Sequence, residues 1–249
     1  MVNNHFVVWR LLLNYRKVLK VKYLVSDRAK AIVKLALSDL GCPSIADLFH
    51  ALLELSKSIG WELNHLTNRI DKQLKAARNN HQPPELIKQL EAEQSLLQLS
   101  TQNYQDCCHR LSTSLHPFLV TDSSPQTTLQ VQTLLKQEIH QLKTLKKTHR
   151  LKDQRDSINK LARQVKELAA VVDIWWSWVD YCLESHPIQS PGKDWIKKQL
   201  LPAVYWQQQV RRTKNETKKK TYQFAYKRAL DALLHHPTTV TLGCANLQQ

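Results

Sequence analysis

Apolar residues recur along this chain at two different periods, and the change between them divides the sequence. The β-branched and aromatic run Val21–Val25, closed by Ser26 and Asp27, predicts a short strand. Ala29, Ile32, Val33, Ala36 and Leu40 then fall at helical spacing, with Gly41 placed to end the helix and Pro43 beyond it. Residues 44–50 (SIADLFH) form a second short apolar run, predicting a second strand, before ALLELSKSIGWEL returns to the helical period. Strand, helix, strand, helix is the alternation of a parallel α/β sheet. Asp27 would stand at the carboxyl end of the first strand, where open sheets of this kind place their chemistry.

Beyond about residue 55 the pattern is helical alone. Leu63, Leu66, Ile70, Leu74 and Ala77 share one face, NNHQPPE at 79–85 breaks the chain, and Leu86, Leu90, Leu97, Tyr104, Cys108 and Leu111 supply a returning face. The two predict an antiparallel hairpin over about 57–112. Pro117 and TDSSPQ mark another break, followed by helices over about 127–150 and 156–184. In the latter, Ile158, Leu161, Val165, Leu168, Val172, Trp175, Val179 and Cys182 alternate steps of three and four, a heptad-like seam suited to a partner helix. Self-association through residues 158–182 is therefore an expectation. Basic helices over about 193–235 and an irregular tail at 236–249 complete the reading. The fold class expected is mainly α, with a small partial α/β unit ahead of a long helical region.

Composition sharpens this picture. Only 4 glycines and 9 prolines in 249 residues leave little punctuation for a many-stranded sheet. The 5 cysteines show no C-x-x-C pair, which argues against a disulfide framework or zinc ribbon, and no apolar stretch is long enough to span a membrane. A cytoplasmic protein with no membrane partner and no small-molecule substrate is expected. Motifs of nucleotide hydrolases, dinucleotide enzymes, serine hydrolases and zinc proteases are missing from the sequence, and its histidines lack metal-ligand spacing. The tryptophans of WWSW at 175–178, with Trp195 and Trp206, fall at helical spacing and are read as packing residues rather than base-stacking platforms.

Charge points to a partner. Lys and Arg number 36 against 21 acidic residues, a formal net charge of +15 that favours polyanions through counterion release. The excess is clustered. One run holds Lys143, Lys146, Lys147, His149, Arg150, Lys152 and Arg155, and a second holds Arg211, Arg212, Lys214, Lys218, Lys219 and Lys220. Of these, Lys143, Lys146, Lys147, Arg150, Lys152, Arg211, Arg212, Lys218, Lys219 and Lys220 are the candidate contacts to DNA.

The segment KVKYLVSDRAKAIVKLA, followed by CPSIADLFHALLELSKSIG, resembles the middle of a DDE-type transposase, an RNase H-like enzyme, and is similar to a transposase-like group carrying V-S-D-R-A-K-A and D-L-F-H motifs. The resemblance runs in order over roughly residues 9–235 and is specific over 21–60. It implies that residues 1–60 are part of an RNase H-like core and 61–235 a helical insertion region. It also implies that Asp27 is the second catalytic, metal-binding carboxylate, and that Asp47 and His50 belong to a recurrent segment without an assigned role. The intact family performs DNA strand cleavage and transfer with two Mg²⁺ or Mn²⁺ ions held by three carboxylates. Neither a strand carrying the first Asp nor a V-E-G-R-N-like motif for the final Glu occurs in this chain; Glu184 is acidic and late but has helical spacing with Asp180. A fragment truncated at both ends, inactive and holding no metal by itself, is expected. A non-catalytic helical module that binds nucleic acid, or a coiled-coil assembly protein, are the alternatives.

Overall fold

The computed structural model describes residues 23–26, 30–42 and 44–235. Helix dominates, with one small parallel sheet. Strand β1 (Leu24–Ser26) leads to α1 (Lys30–Lys34), which continues as a π-helical segment over Leu35–Leu40. Gly41 ends it at φ 62°, a left-handed conformation that favours glycine, and both Gly41 and Cys42 donate their amides to the Ala36 carbonyl. Strand β2 (Ser44–Ala46) then pairs parallel with β1, in the register Leu24–Ser44, Val25–Ile45 and Ser26–Ala46. Among the described residues each strand has only the other as neighbour. Parallel strands are ordinarily covered on both faces, yet Val25 is 51 % exposed and Tyr23 and Leu37 are exposed as well.

The second strand is shorter than its apolar run. Strand geometry stops at Ala46, because Asp47 turns the chain by accepting the Phe49 amide on Oδ1 at 2.8 Å and so caps α2 (Leu48–Leu55). Helix then continues without a break through a π-helical segment (Ser56–Gly60) into α3 (Trp61–Asn79). Gly60 interrupts nothing here. A Cβ at that position would stand 3.1 Å from the Tyr104 hydroxyl, so the glycine permits a close approach of α4 (Pro84–Thr113).

Two compact units emerge, each discontinuous in sequence: residues 1–108 with 138–168, and residues 109–137 with 169–249. In the first, α3 and α4 form the hairpin. His81 at φ 49° takes the left-handed position after α3, while Gln82 and His81 donate to the carbonyls of Ala77 and Arg78, closing the last turn. Arg78 then bonds Glu91 and Gln94 bonds Asp71 across the pair, each at 2.7 Å. Leu55, Ile59, Leu63, Ile70 and Leu74 are buried, as are Leu97 and Tyr104 of α4, Ile139 and Leu142 of α5 (Thr128–Thr148), and Ile158, Leu161, Val165 and Leu168 of α6 (Ser157–Glu184). A buried Leu or Ile contributes roughly 1.5–3 kcal/mol, and this set is the unit's main stabilisation.

The second unit is built on aromatic rings. After a short helix α7 (Ser190–Trp195) and a π-helical segment (Ile196–Leu200), α8 (Leu201–Arg212) and α9 (Glu216–His235) pack as a hairpin around Trp206, Tyr222, Ala225 and Ala229. The link is three residues long, and Asn215 caps α9 by accepting the Lys218 amide at 3.0 Å. Small residues on α9 leave room for large ones: Phe118 is buried among Trp175, Trp176 and Tyr205, all edge-on to it with centroids 5.4–5.5 Å away. The segment carrying Phe118 is ordered. Leu119 and Gln126 donate to the carbonyls of Ser124 and Pro117, and the Gln126 side chain donates to the carbonyls of His116 and Phe118.

Candidate nucleic-acid interface

The two basic runs lie one in each unit and differ in electrostatic setting. In the first, Lys143, Lys147, Arg150 and Lys152 are exposed at the carboxyl end of α5 and in the link that follows. Cations there complement the negative end of the helix dipole, which accounts for part of the run without any ligand. Arg150 occupies the left-handed position at φ 51°, with Leu151 donating to the Lys146 carbonyl. Lys146 is engaged internally, its Nζ 4.0 Å from Asp153, and Arg155 pairs with Glu54 at 3.3 Å.

Asp153 organises this link. Its side chain is 1 % exposed and accepts from the Ser58 hydroxyl at 2.7 Å, the Ser157 amide and hydroxyl at 2.9 Å each, and the Ile158 amide at 3.1 Å. Burial alone would raise its pKa, but these four donors outweigh it and hold the carboxyl below its ordinary value. The charge neutralises the start of the 28-residue α6.

The second run spans two helix ends: Arg211 and Arg212 lie in the last turn of α8, where they complement its dipole, and the lysines lie at the start of α9. Lys218, Lys219 and Lys220 occupy the first turns of α9, the positive end of its dipole, where Glu216 is the acidic residue of the first turn. Arg211 and Arg212, exposed at the end of α8, and the exposed Lys214 of the link crowd the same hairpin turn. Lys219 lies 3.8 Å from Glu216, and Lys218 donates to the Ser112 hydroxyl at 2.6 Å. Cations at a helix N-terminus are unfavourable by roughly 0.3–1 kcal/mol each, an opposition that a bound phosphate relieves.

Behind Lys218 lies a half-buried histidine. His116 Nδ1 is 2.6 Å from the Tyr205 hydroxyl and its Nε2 is 3.0 Å from the Tyr222 hydroxyl, with the ring edge-on to Trp206. Burial first, then the nearby Lys218 charge, lower its pKa to about 4, so the imidazole is neutral and the two tyrosines take opposite roles, one donating and one accepting. Burial likewise raises the pKa of both phenols.

Asp27 lies outside the described residues, directly after Ser26 in the chain. Asp47 follows Ala46, the residue that Ser26 pairs with, and its two oxygens are committed: Oδ1 to the Phe49 amide and Oδ2 to His50 Nδ1 at 2.8 Å. Glu184 is exposed at the end of α6, and Asp180 pairs with Lys197. Among the described residues, which leave out Asp27, no three His, Cys, Asp or Glu side chains converge as a metal ion requires.

The heptad-like seam is covered by its own chain. Ile158, Leu161, Val165, Leu168, Val172 and Val179 are all buried, leaving Trp178 and Tyr181 as the exposed large residues of α6. Trp206 is fully buried, and Trp175 and Trp176 are part-buried, the latter donating its indole N–H to the Gln126 carbonyl at 3.0 Å. No helix among the described residues is long and apolar enough to cross a membrane. Asp153 and His116 were not singled out by sequence: one sits inside a charged run, the other is one of 11 histidines.

A family of unknown function (DUF6399) matches residues 196–249, a stretch that includes α8, α9 and the basic turn between them. No curated protein and no solved structure matches the chain.

Proposed function

We propose that this chain is a DNA-holding part of a DDE-type, transposase-like protein, inactive in strand cleavage by itself. The observation that carries the DNA-binding reading is the α8–α9 turn. Arg211, Arg212, Lys214, Lys219 and Lys220 concentrate positive charge at the already positive end of α9. The dipole of α9 mildly disfavours the lysines near its start, and a polyanion satisfies several cations at once. The transposase part of the reading is supported by the V-S-D-R-A-K-A and D-L-F-H segments and by the parallel β1–β2 pair with a helix between. Asp27 is proposed as its metal-binding carboxylate, and no cleavage step is assigned to the chain.

The test is fluorescence anisotropy with a duplex oligonucleotide between about 50 and 200 mM salt. Affinity is expected to fall steeply with salt, and neutralising Arg211, Arg212, Lys219 and Lys220 together to reduce the log–log slope by about 3–4. Salt-independent binding, or a slope that the quadruple variant leaves unchanged, refutes the assignment. With Mg²⁺ or Mn²⁺ added, the duplex is expected to stay uncut.

A further inference from the structure

The first unit contains a cleft of about 450 Å³ that the α8–α9 surface does not involve. One wall comes from α2 and the π-helical segment after it, with Asp47, His50, Glu54 and Lys57, and the other from α6, with Lys160 and Gln164. Its volume lies within the usual range for small-ligand sites.

The groups on these walls are unequally committed. Asp47 spends one oxygen on the α2 cap and the other on His50 Nδ1, which fixes the imidazole on Nδ1 and leaves Nε2 as the ring's remaining hydrogen-bonding atom. Glu54 is held by Arg155 at 3.3 Å and lies 4.0 Å from Lys57. Lys160 has no ion-pair partner among the described residues, and the Gln164 amide has no side-chain partner there. The negative charges of the cleft are thus taken up by its own framework, while a lysine, an amide and an oriented imidazole remain.

We propose that this cleft binds a phosphate group, with Lys160 as its principal charge, Lys57 flanking it, the Gln164 amide donating to it, and the oriented His50 ring beside it as the reporter of binding. Such a set of polar groups around one anion is the chemistry of phosphate recognition. Asp47 is a positioning residue: it aims His50 and does not touch the ligand. The phosphate can belong to a nucleic-acid strand or to a free monoester, and only the first source rests on the DNA-binding reading above.

The experiment follows the imidazole NMR signals of the full chain, His50 being assigned by its loss in His50→Gln, during titration with inorganic phosphate and, separately, with a short oligothymidylate. Saturable shifts of the His50 signals with phosphate are expected, weakened roughly tenfold by Lys160→Gln, an exposed α6 substitution that leaves the fold intact by circular dichroism. Shifts with the oligonucleotide that vanish in Lys160→Gln assign the strand as the source. Shifts with phosphate alone assign a monoester, and they stand even if the α8–α9 surface binds no DNA. His50 signals that respond to neither probe, or an affinity unchanged in Lys160→Gln, overturn the proposal.

Discussion

Asp153 shows how much one carboxylate can hold when it is surrounded by donors. Truncation to alanine leaves the Ser58 and Ser157 hydroxyls and two amides of α6 without their acceptor, and a loss of about 2–4 kcal/mol is expected in urea unfolding. Asp153→Asn keeps one acceptor oxygen and should lose less. The sign of its pH effect follows from its depressed pKa: the stabilisation is present above the ordinary carboxylate range and disappears as pH falls through the folded value. His116 acts at milder acidity. Its folded pKa of about 4 against an ordinary 6.5 means that the unfolded chain takes the proton first. Stability from this group is complete above pH 6.5 and declines toward pH 4, by about 3 kcal/mol in all. Tryptophan fluorescence in urea at a series of pH values measures that decline, and His116→Phe should flatten it. Neither residue was legible in the sequence: Asp153 is masked by the charged run around its local donors Ser157 and Ile158 and takes its remaining donor from Ser58, 95 residues away, while Tyr205 lies 89 residues from His116.

Helices were legible where one apolar face runs long enough to dominate. Leu63, Ile70, Leu74 and Ala77 form the buried side of α3, as their spacing predicts, and the α6 seam is buried along most of its length. What the period cannot state is who covers a seam. A heptad pattern looks the same whether the partner helix is another copy or the same chain, and here it is the same chain. Leu168→Ala is therefore expected to cost about 2–5 kcal/mol of stability without changing the sedimentation of the folded protein. Short elements were harder to place. The apolar run at 44–50 satisfies both periods, and the Asp47 cap decides in favour of helix from Leu48. Gly60 falls inside the helical period as read, and what the period does not state is the close approach of Tyr104 that this glycine permits. Gly→Ala inside a helix ordinarily gains about 0.5–1 kcal/mol. Contact with Tyr104 should cancel that gain in Gly60→Ala, and the double change with Tyr104→Phe should restore part of it, a comparison for thermal unfolding.

At the scale of the whole molecule, net charge was read directly and its clustering too, but the meaning of each cluster depended on helix ends that sequence alone places loosely. Lysines at the end of α5 complement a dipole; those at the start of α9 oppose one. Neutralising Lys143, Lys147, Arg150 and Lys152 is thus expected to lower the salt slope of DNA binding less than the Arg211, Arg212, Lys219 and Lys220 set, with anisotropy titrations deciding between them. Replacing Arg150 by glycine separates structure from charge at that site: relief of the left-handed conformation should raise stability by about 1 kcal/mol or less while removing one cation. The discontinuity of the two units bears on synthesis. A nascent chain that has emerged through residue 108 still lacks the 138–168 portion of its first unit, and the second unit waits for residues 169 onward. The amino-terminal hairpin must therefore persist, incompletely covered, until α6 has been made. Splitting the gene in the 114–127 segment would likewise give two polypeptides that each lack part of both units, so co-expression, rather than either half alone, should recover soluble folded protein.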